Sequence, residues 1–547
     1  VLDDAPQAPQ TPAVIASYRE LVRSTLDLRW QLDPVAATAA GVGAPYDARL
    51  GRFARPDVKA SLAAMKAMSG ALEQADVDDL AEEVDRTALL DDLRASIARF
   101  EKERPHEANP EFHVTHLLTG LHGLLVRHDQ DAAVRGRALA GRLREVPRFL
   151  DDARATLLRP APVFTETAIA VAEGGRTLLR EAIPAFAAML PRSVMEDLEQ
   201  GLIAARAAYD DFVAFLAGEL AQRSDGDFAI GREAFDFRLH YEHALRETAP
   251  ELLRYGEQRV AALERELAEA AEAMAPGVPW RALADRLRQE RPASAELVAR
   301  YAGAMARARR FVEERGLMTV PDGPLEVVRT PRFMAPVIPF AAYDPPGPFA
   351  TARTGWFYVT VPATAEATEH CVHEIACTAL HEGYPGHHLQ FLAAQAQPSP
   401  VRRVIGSALT VEGWALYCEE LMAAEGFLER PEERFFQRLH LLWRAARVVL
   451  DVRLHTMGMT VAKAVRYLTR TLGVSRDVAE AEVRRYCGAP AYQLCYEVGR
   501  RELQRLREGC ARRAGAGFSM RRFHDEVLSY GGLPVALMRW GMGLDEA

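Results

Sequence analysis

Residues 381–390 read HEGYPGHHLQ, which sets three imidazoles and a carboxylate within a few positions of one another. Those groups suit a bound zinc ion and a proton-transfer residue beside it. The commonest zinc-hydrolase arrangement is H-E-x-x-H, with two histidines one turn apart on a helix face. Here Pro385 stands four positions past His381, so that arrangement is broken. On an unbroken helix His381 and His388 would share a face roughly 10 Å apart along the axis. One zinc ion, with bonds to nitrogen of about 2 Å, cannot reach both. Pro385 has no amide hydrogen and clashes with the carbonyl four residues back, so it predicts a kink or a helix end. Gly386 relieves the crowding. The break thus folds a second histidine back toward His381, with His387 and His388 both open for that place. A histidine-rich helix end is also favoured electrostatically without any metal. His373, Cys377 and His381, at i, i+4 and i+8, form a rival ligand set, but one that leaves Glu382 without a role.

A third ligand is offered by LTVEGWALYCEELMAAEGF, where Glu412 lies 25 residues past His387. Its neighbours Val411, Gly413, Trp414 and Ala415 predict burial, and a buried carboxylate needs a partner. Glu412 would close a His2Glu set that keeps a position for water. Glu382, adjacent to a ligand, then becomes the general base for attack on a carbonyl. Such chemistry also needs donors for an oxyanion. RYCGAPAYQLCYEVGRR offers Tyr486, Tyr492, Tyr496 and Arg500, with Tyr492 and Tyr496 expected one turn apart on a helix after Pro490. DVRLHTMG adds Arg453 and His455 as further donors or as anchors for a substrate carboxylate. Each of these also has a plain structural reading, as core or as a partner for an acid.

The elements that must position these groups are mostly helices. From residue 12 to about 310, stretches such as QADVDDLAEEVDRTALLDDLRASIARFEKE place apolar residues at helical spacing among good helix formers. Near residue 319 the composition turns Pro-rich and β-forming, ending in GWFYVTV. That strand, with Trp356 and Tyr358, could present an edge to an extended peptide or lie buried in a small sheet. Helical periodicity returns at TAEATEHCVHEIACTALHEG and persists to LREGCARRAG. The expectation is a mainly α protein with a small β element near residues 320–365. Its parts are a helical region 1–318, a β-containing segment 319–365 and a helical catalytic region 366–547, joined in one body.

Over 547 residues, hydrophobic content of 49% and charged content of 26% are those of a soluble globular chain. A net charge of −9 leaves no footprint for nucleic acid. No apolar run reaches the length of a membrane span. The six cysteines form no C-x-x-C pair, which favours a reducing, cytoplasmic setting. VLDDAPQAPQTPAV has neither the basic start nor the apolar middle of a leader, although a chain beginning at Val1 leaves room for a leader removed beforehand.

HEGYPGHHLQ, EGWALYCEELMAAEG, RVVLDVRLHTMGMT, YQLCYEVGRRELQRLRE and FHDEVLSYGGLPVALM together resemble the DUF885 family of bacterial proteins over most of residues 380–540. EAFDFRLHYEHALRETAPELLRYGEQRV extends the likeness upstream to about residue 230. The family looks like a branch of the mostly helical zinc peptidases related to thimet oligopeptidase and the Taq-type carboxypeptidases. That resemblance implies a large helical zincin-like fold with one zinc ion per chain. It makes His381 the first ligand, Glu382 the base, the Gly386-His387 pair the second-ligand position and Glu412 the third ligand. Two extra residues between Glu382 and that pair keep His388 as the alternative. It also leans toward Tyr496 as oxyanion donor; the residues themselves add His455 as an assisting group and Arg453, Tyr492, Arg500, Trp356 and Tyr358 as candidates around the substrate. The implied substrate is a short peptide held in a helical groove. Two rival functions remain: hydrolysis of another amide or ester by the same set, and a non-catalytic binding protein that retained the shell.

Overall fold

The computed structural model describes residues 17–127, 129–331, 338, 340–361 and 370–544. The N-terminal stretch 1–16, parts of the Pro-rich segment and the expected helix start at 364–369 lie outside the described residues.

Helices account for most of the chain, as the periodicity predicts, and their ends follow local chemistry. Thr248 and Glu251 form a capping box at the start of Ala249–Met274. Pro431 opens Pro431–Thr456 where its missing N–H costs nothing. Gly316, at φ +60°, ends Leu297–Arg315 in the left-handed conformation that glycine adopts without strain. Long helices then pack as neighbours, among them Ala132–Thr156 with Arg192–Phe215, Ala249–Met274 with Pro431–Thr456, and Ala408–Ala424 with Cys495–Ala514.

The Pro-rich segment yields one small sheet of β1 (Leu325–Arg329), β2 (Ala341–Asp344) and β3 (Gly355–Val359), in the order β1-β3-β2. β1 runs parallel to β3, with Leu325 opposite Gly355, and β2 runs antiparallel, with Tyr343 opposite Phe357. Alternation along β3 sends Phe357 and Val359 into a core shared with Leu297, Tyr301, Ile375 and Ala379. The sheet therefore backs directly onto the helix Ile375–Glu382, which carries His381. β3 is hydrogen-bonded on both sides, so the open edge considered for Trp356 and Tyr358 does not exist.

A large apolar core unites residues from both ends of the chain, including Trp30, Leu89, Phe235, Trp414, Val498 and Met538. A second core is confined to residues 35–220.

Candidate metal centre

The break at Pro385 is a tight reversal. The helix Ile375–Glu382 ends at Gly383, whose N–H donates to the Ala379 carbonyl at 3.0 Å. The Tyr384–Pro385 peptide is cis, and the Gly386 N–H returns to the Leu380 carbonyl at 3.0 Å. A new helix, His387–Gln395, starts immediately afterwards. A Cβ on Gly386 would sit 2.0 Å from the His381 carbonyl oxygen, so only glycine permits this approach. The result is that His387 comes back beside His381, ring centroids 4.8 Å apart and nearly perpendicular.

Glu412 reaches them from the helix Ala408–Ala424, which Ser407 caps by accepting the Leu409 N–H. The Glu412 Oε2 lies 3.7 Å from His381 Nε2 and 3.5 Å from His387 Nε2. Its other oxygen accepts the Tyr492 hydroxyl at 2.5 Å. Two residues on, the Trp414 indole N–H donates to the Pro385 carbonyl at 2.9 Å, tying this helix to the reversal. The EGW triplet therefore supplies a carboxylate, a close contact and a clamp. The contact is Gly413 against Gly499 of the helix Cys495–Ala514, where an added Cβ would stand 2.5 Å from the Gly499 Cα. That crossing brings Glu412 toward Tyr496.

Behind the first ring, His381 Nδ1–H donates to Glu419 Oε1 at 2.8 Å. Once metal binding displaces the Nε2 proton, this bond would fix the tautomer whose Nε2 faces the ion, as a carboxylate commonly does behind a metal-bound histidine. Glu419 is fully buried, and its Oε2 has no hydrogen-bond partner among the described residues. Burial alone would lower the His381 pKa, but Glu412 and Glu419 raise it to about 10. Burial alone would raise the Glu412 carboxyl, but the two imidazoles hold it well below the usual carboxylate range. Two carboxylates focused on these rings make the spot one that favours a cation. His381, His387 and Glu412 each place a ligand atom within 4.8 Å of the others.

Glu382 sits half-buried beside His381 and lines the same cavity, of about 470 Å³, with Thr378, Glu419, Arg444, Arg447 and Tyr496. Tyr496 opens the helix Cys495–Ala514, its ring centroid 6.4 Å from that of His381 and nearly parallel to it. Burial and Glu412 push its hydroxyl up to about 12, so it stays a protonated donor at neutral pH. Tyr492 lies in the turn ahead of that helix rather than within it, and its hydroxyl is committed to Glu412. A larger cavity of about 1030 Å³, beside Arg453 and Tyr467, has none of these ligand groups along its walls, so chemistry and not size marks the site.

Several expected residues lie elsewhere. His388 faces away from the ligand cluster: its Nδ1 accepts the Tyr343 hydroxyl at 2.9 Å and its Nε2 points at the Gly323 carbonyl at 3.4 Å. Burial lowers this imidazole to about 4. It is neutral and pins the His387–Gln395 helix to the sheet, which corrects the expectation that it could serve as the second ligand. His455 is wholly buried, hydrogen-bonded to the Tyr486 carbonyl at 3.0 Å and stacked near Phe235, so it does not reach the site. Arg453 pairs with Glu257 at 2.5 Å on another surface. Arg500 is buried and taken up by Glu497 and Glu420, both at 2.7 Å, and so braces the helices instead of meeting substrate. Trp356 and Tyr358 line a different cavity, shared with Val35 and Thr38. His373 stands 3.1 Å from Glu290 and not beside His381, which dissolves the rival ligand set.

Sequence reasoning missed Glu419, Arg444 and Arg447. Glu419 is seven residues past Glu412 on one helix, hence on the same face two turns on, and that spacing was a readable signal. His440, Arg444 and Arg447 form an i, i+4, i+7 stripe of the same kind on Pro431–Thr456.

A search of curated proteins gave no match. Among solved structures, one from Shewanella oneidensis, described as a "putative lipoprotein" of unknown function, is 22% identical with a TM-score of 0.81, covering 96% of this chain and all of that one. Another, from Colwellia psychrerythraea and with the same lipoprotein label, is 18% identical with a TM-score of 0.85, covering 98% of this chain and all of that one. At those identities the likeness is one of fold. No described helix is long and apolar enough to cross a membrane. The family model described as "Bacterial protein of unknown function (DUF885)" matches residues 34–542, and the chain belongs to that family.

Proposed function

We propose that this protein is a zinc-dependent hydrolase of short peptides, with a zincin-like site held by His381, His387 and Glu412. The observation that carries the reading is the convergence of two imidazole Nε2 atoms on one oxygen of Glu412, with Glu382 in the adjoining cavity. The donor set fits the ion: two imidazole nitrogens, with the His381 proton displaced on binding, and one carboxylate oxygen suit zinc. When bound, zinc would supply Lewis acidity toward a carbonyl oxygen and toward water.

The remaining steps belong to the chain's own groups. Glu419 keeps His381 in its metal-facing tautomer, and Tyr492 orients Glu412 by holding its second oxygen. Glu382 accepts a proton from the attacking water and passes it to the nitrogen of the leaving amine. Tyr496, with no prior commitment as strong as that of Tyr492, donates its hydroxyl hydrogen to the oxyanion as charge develops. Arg447, its guanidinium carbon 4.9 Å from the Tyr496 ring centroid, holds that ring in place.

The test combines metal content and turnover on two variants. Glu382→Gln should keep its metal and lose about 10²- to 10⁴-fold in kcat. Tyr496→Phe should lose less, in kcat more than KM, because its bond forms in the transition state. Full activity in metal-loaded Glu382→Gln would refute the mechanism. Metal without cleavage of any peptide by the parent would point to another amide or ester, and a parent that binds no metal would point to a non-catalytic shell.

We also propose a cell-envelope location, supported by the lipoprotein label on both similar structures. The six cysteines are buried and unpaired, so they do not oppose an oxidising setting as strongly as their number suggests. Fractionation of cells expressing the native gene tests this, and recovery in the cytosol alone would overturn it.

A further inference from the structure

On the helix Pro431–Thr456, the face that carries His440 also turns Arg444 and Arg447 into the cavity beside His381 and Glu382. The two arginines differ in their commitments. Arg447 donates to the Tyr486 hydroxyl and to Glu482, both at 3.0 Å, and is part of the wall. Arg444 has no ion-pair partner among the described residues. Its Nη1 comes no closer than 3.5 Å to the His440 carbonyl of its own helix, and its Nε is buried without a hydrogen-bond partner among the described residues. Glu374 and Glu419 feel its charge, but neither pairs with it. A half-buried guanidinium left this way is costly unless a ligand completes it, and its planar fork matches a carboxylate.

Its position sets what the carboxylate belongs to. The Arg444 guanidinium carbon is 5.8 Å from the Tyr496 ring centroid, and that ring lies 6.4 Å from the His381 ring. A reacting carbonyl between Tyr496 and His381 therefore leaves room for about one residue before Arg444, since one residue spans about 3.8 Å. We propose that Arg444 binds the C-terminal carboxylate of the substrate, one residue beyond the bond that is cut, so that the protein removes the last residue from short peptides. The inference rests on the hydrolase reading for the cut and on Arg444 alone for the anion.

The experiment separates the two. Zinc-loaded Glu382→Gln protein is titrated calorimetrically with N-acetyl-Ala-Ala, with its C-terminal amide, and with N-acetyl-Ala-Asp amide, whose carboxylate is on the side chain. Charge-assisted hydrogen bonds predict binding of the free acid roughly 10- to 100-fold tighter than either amide. Adding Arg444→Met should bring the acid down to the affinity of its amide, while Arg444→Lys recovers part of the difference. Unchanged zinc content and thermal midpoint in Arg444→Met exclude a folding defect. Equal affinity for acid and amide, no binding of the acid, preference for the Asp side chain, or an acid preference that survives Arg444→Met would each overturn the proposal. Acid-selective binding that depends on Arg444, in a parent that cleaves nothing, would keep the anion site and remove the peptidase reading.

Discussion

Gly413→Ala should damage both the fold and the metal centre through one added methyl group. The new Cβ would lie 2.5 Å from the Cα of Gly499 and 2.9 Å from the Arg500 nitrogen. Carbon atoms pack best at about 3.5–4.0 Å, so the helices Ala408–Ala424 and Cys495–Ala514 must part by about 1 Å. Backbone cannot swing aside as a side chain can, and overpacking of this kind costs about 1–3 kcal/mol. One of these helices carries Glu412 and the other carries Tyr496, so the same displacement moves a ligand and the proposed oxyanion donor off target. A misplacement of that size costs about 10²-fold in rate. Urea unfolding gives the stability change, and competition with a chromophoric chelator gives zinc affinity. Gly303→Ala is the control, because nothing lies within 4 Å of its Cβ and it sits in the helix Leu297–Arg315. There the substitution should stabilise by about 0.5–1 kcal/mol. A Gly413→Ala protein as stable and as tight for zinc as the parent would refute the argument from close approach.

Glu419→Ala should weaken zinc binding about 10- to 100-fold, since it frees the His381 Nδ1–H and removes the nearest buried counter-charge; affinity within threefold of the parent would count against the second layer. Acid should destabilise the apo chain between pH 7 and pH 5. His113, His243, His388, His455 and His524 are held by burial at about 4, so the unfolded chain takes up protons first as pH falls below 6.5. Asp451 and Asp344, raised by burial to about 7 and about 6, and His381, raised to about 10 by Glu412 and Glu419, act in the opposite direction. Five groups against three leave a net loss on the order of 5 kcal/mol, read as a falling urea midpoint, and a midpoint that rises on acidification would contradict it.

The parts of the site that were legible in the sequence are those decided by local covalent chemistry. Pro385 and Gly386 announce a reversal because one lacks a donor and the other lacks a Cβ, and the reversal is what returns His387 to His381. Glu412 stood out because a carboxylate among Gly, Trp and Ala must find a partner. The single small sheet within a helical protein followed from the change in composition near residue 319. Residues that failed were chosen for lying near a motif in sequence, where helix phase and length decide instead. Arg453 and His455 share a helix with Arg444, but about ten residues further on they are roughly 15 Å away along the axis. His388 stayed open as an alternative ligand because its partners, Tyr343 and Gly323, come from the 319–365 segment, which no local pattern ties to it. Whether Trp356 and Tyr358 lie on an edge or an inner strand stayed open, because strand order depends on pairing between distant segments.

The central claim is a metal held by His381, His387 and Glu412, and elemental analysis of four proteins tests it most directly. The account predicts one zinc per chain in the parent and in His388→Ala, and far below one in His387→Ala and Glu412→Ala, with all four folded by circular dichroism. Full zinc in His387→Ala, or zinc lost from a folded His388→Ala instead, would contradict it.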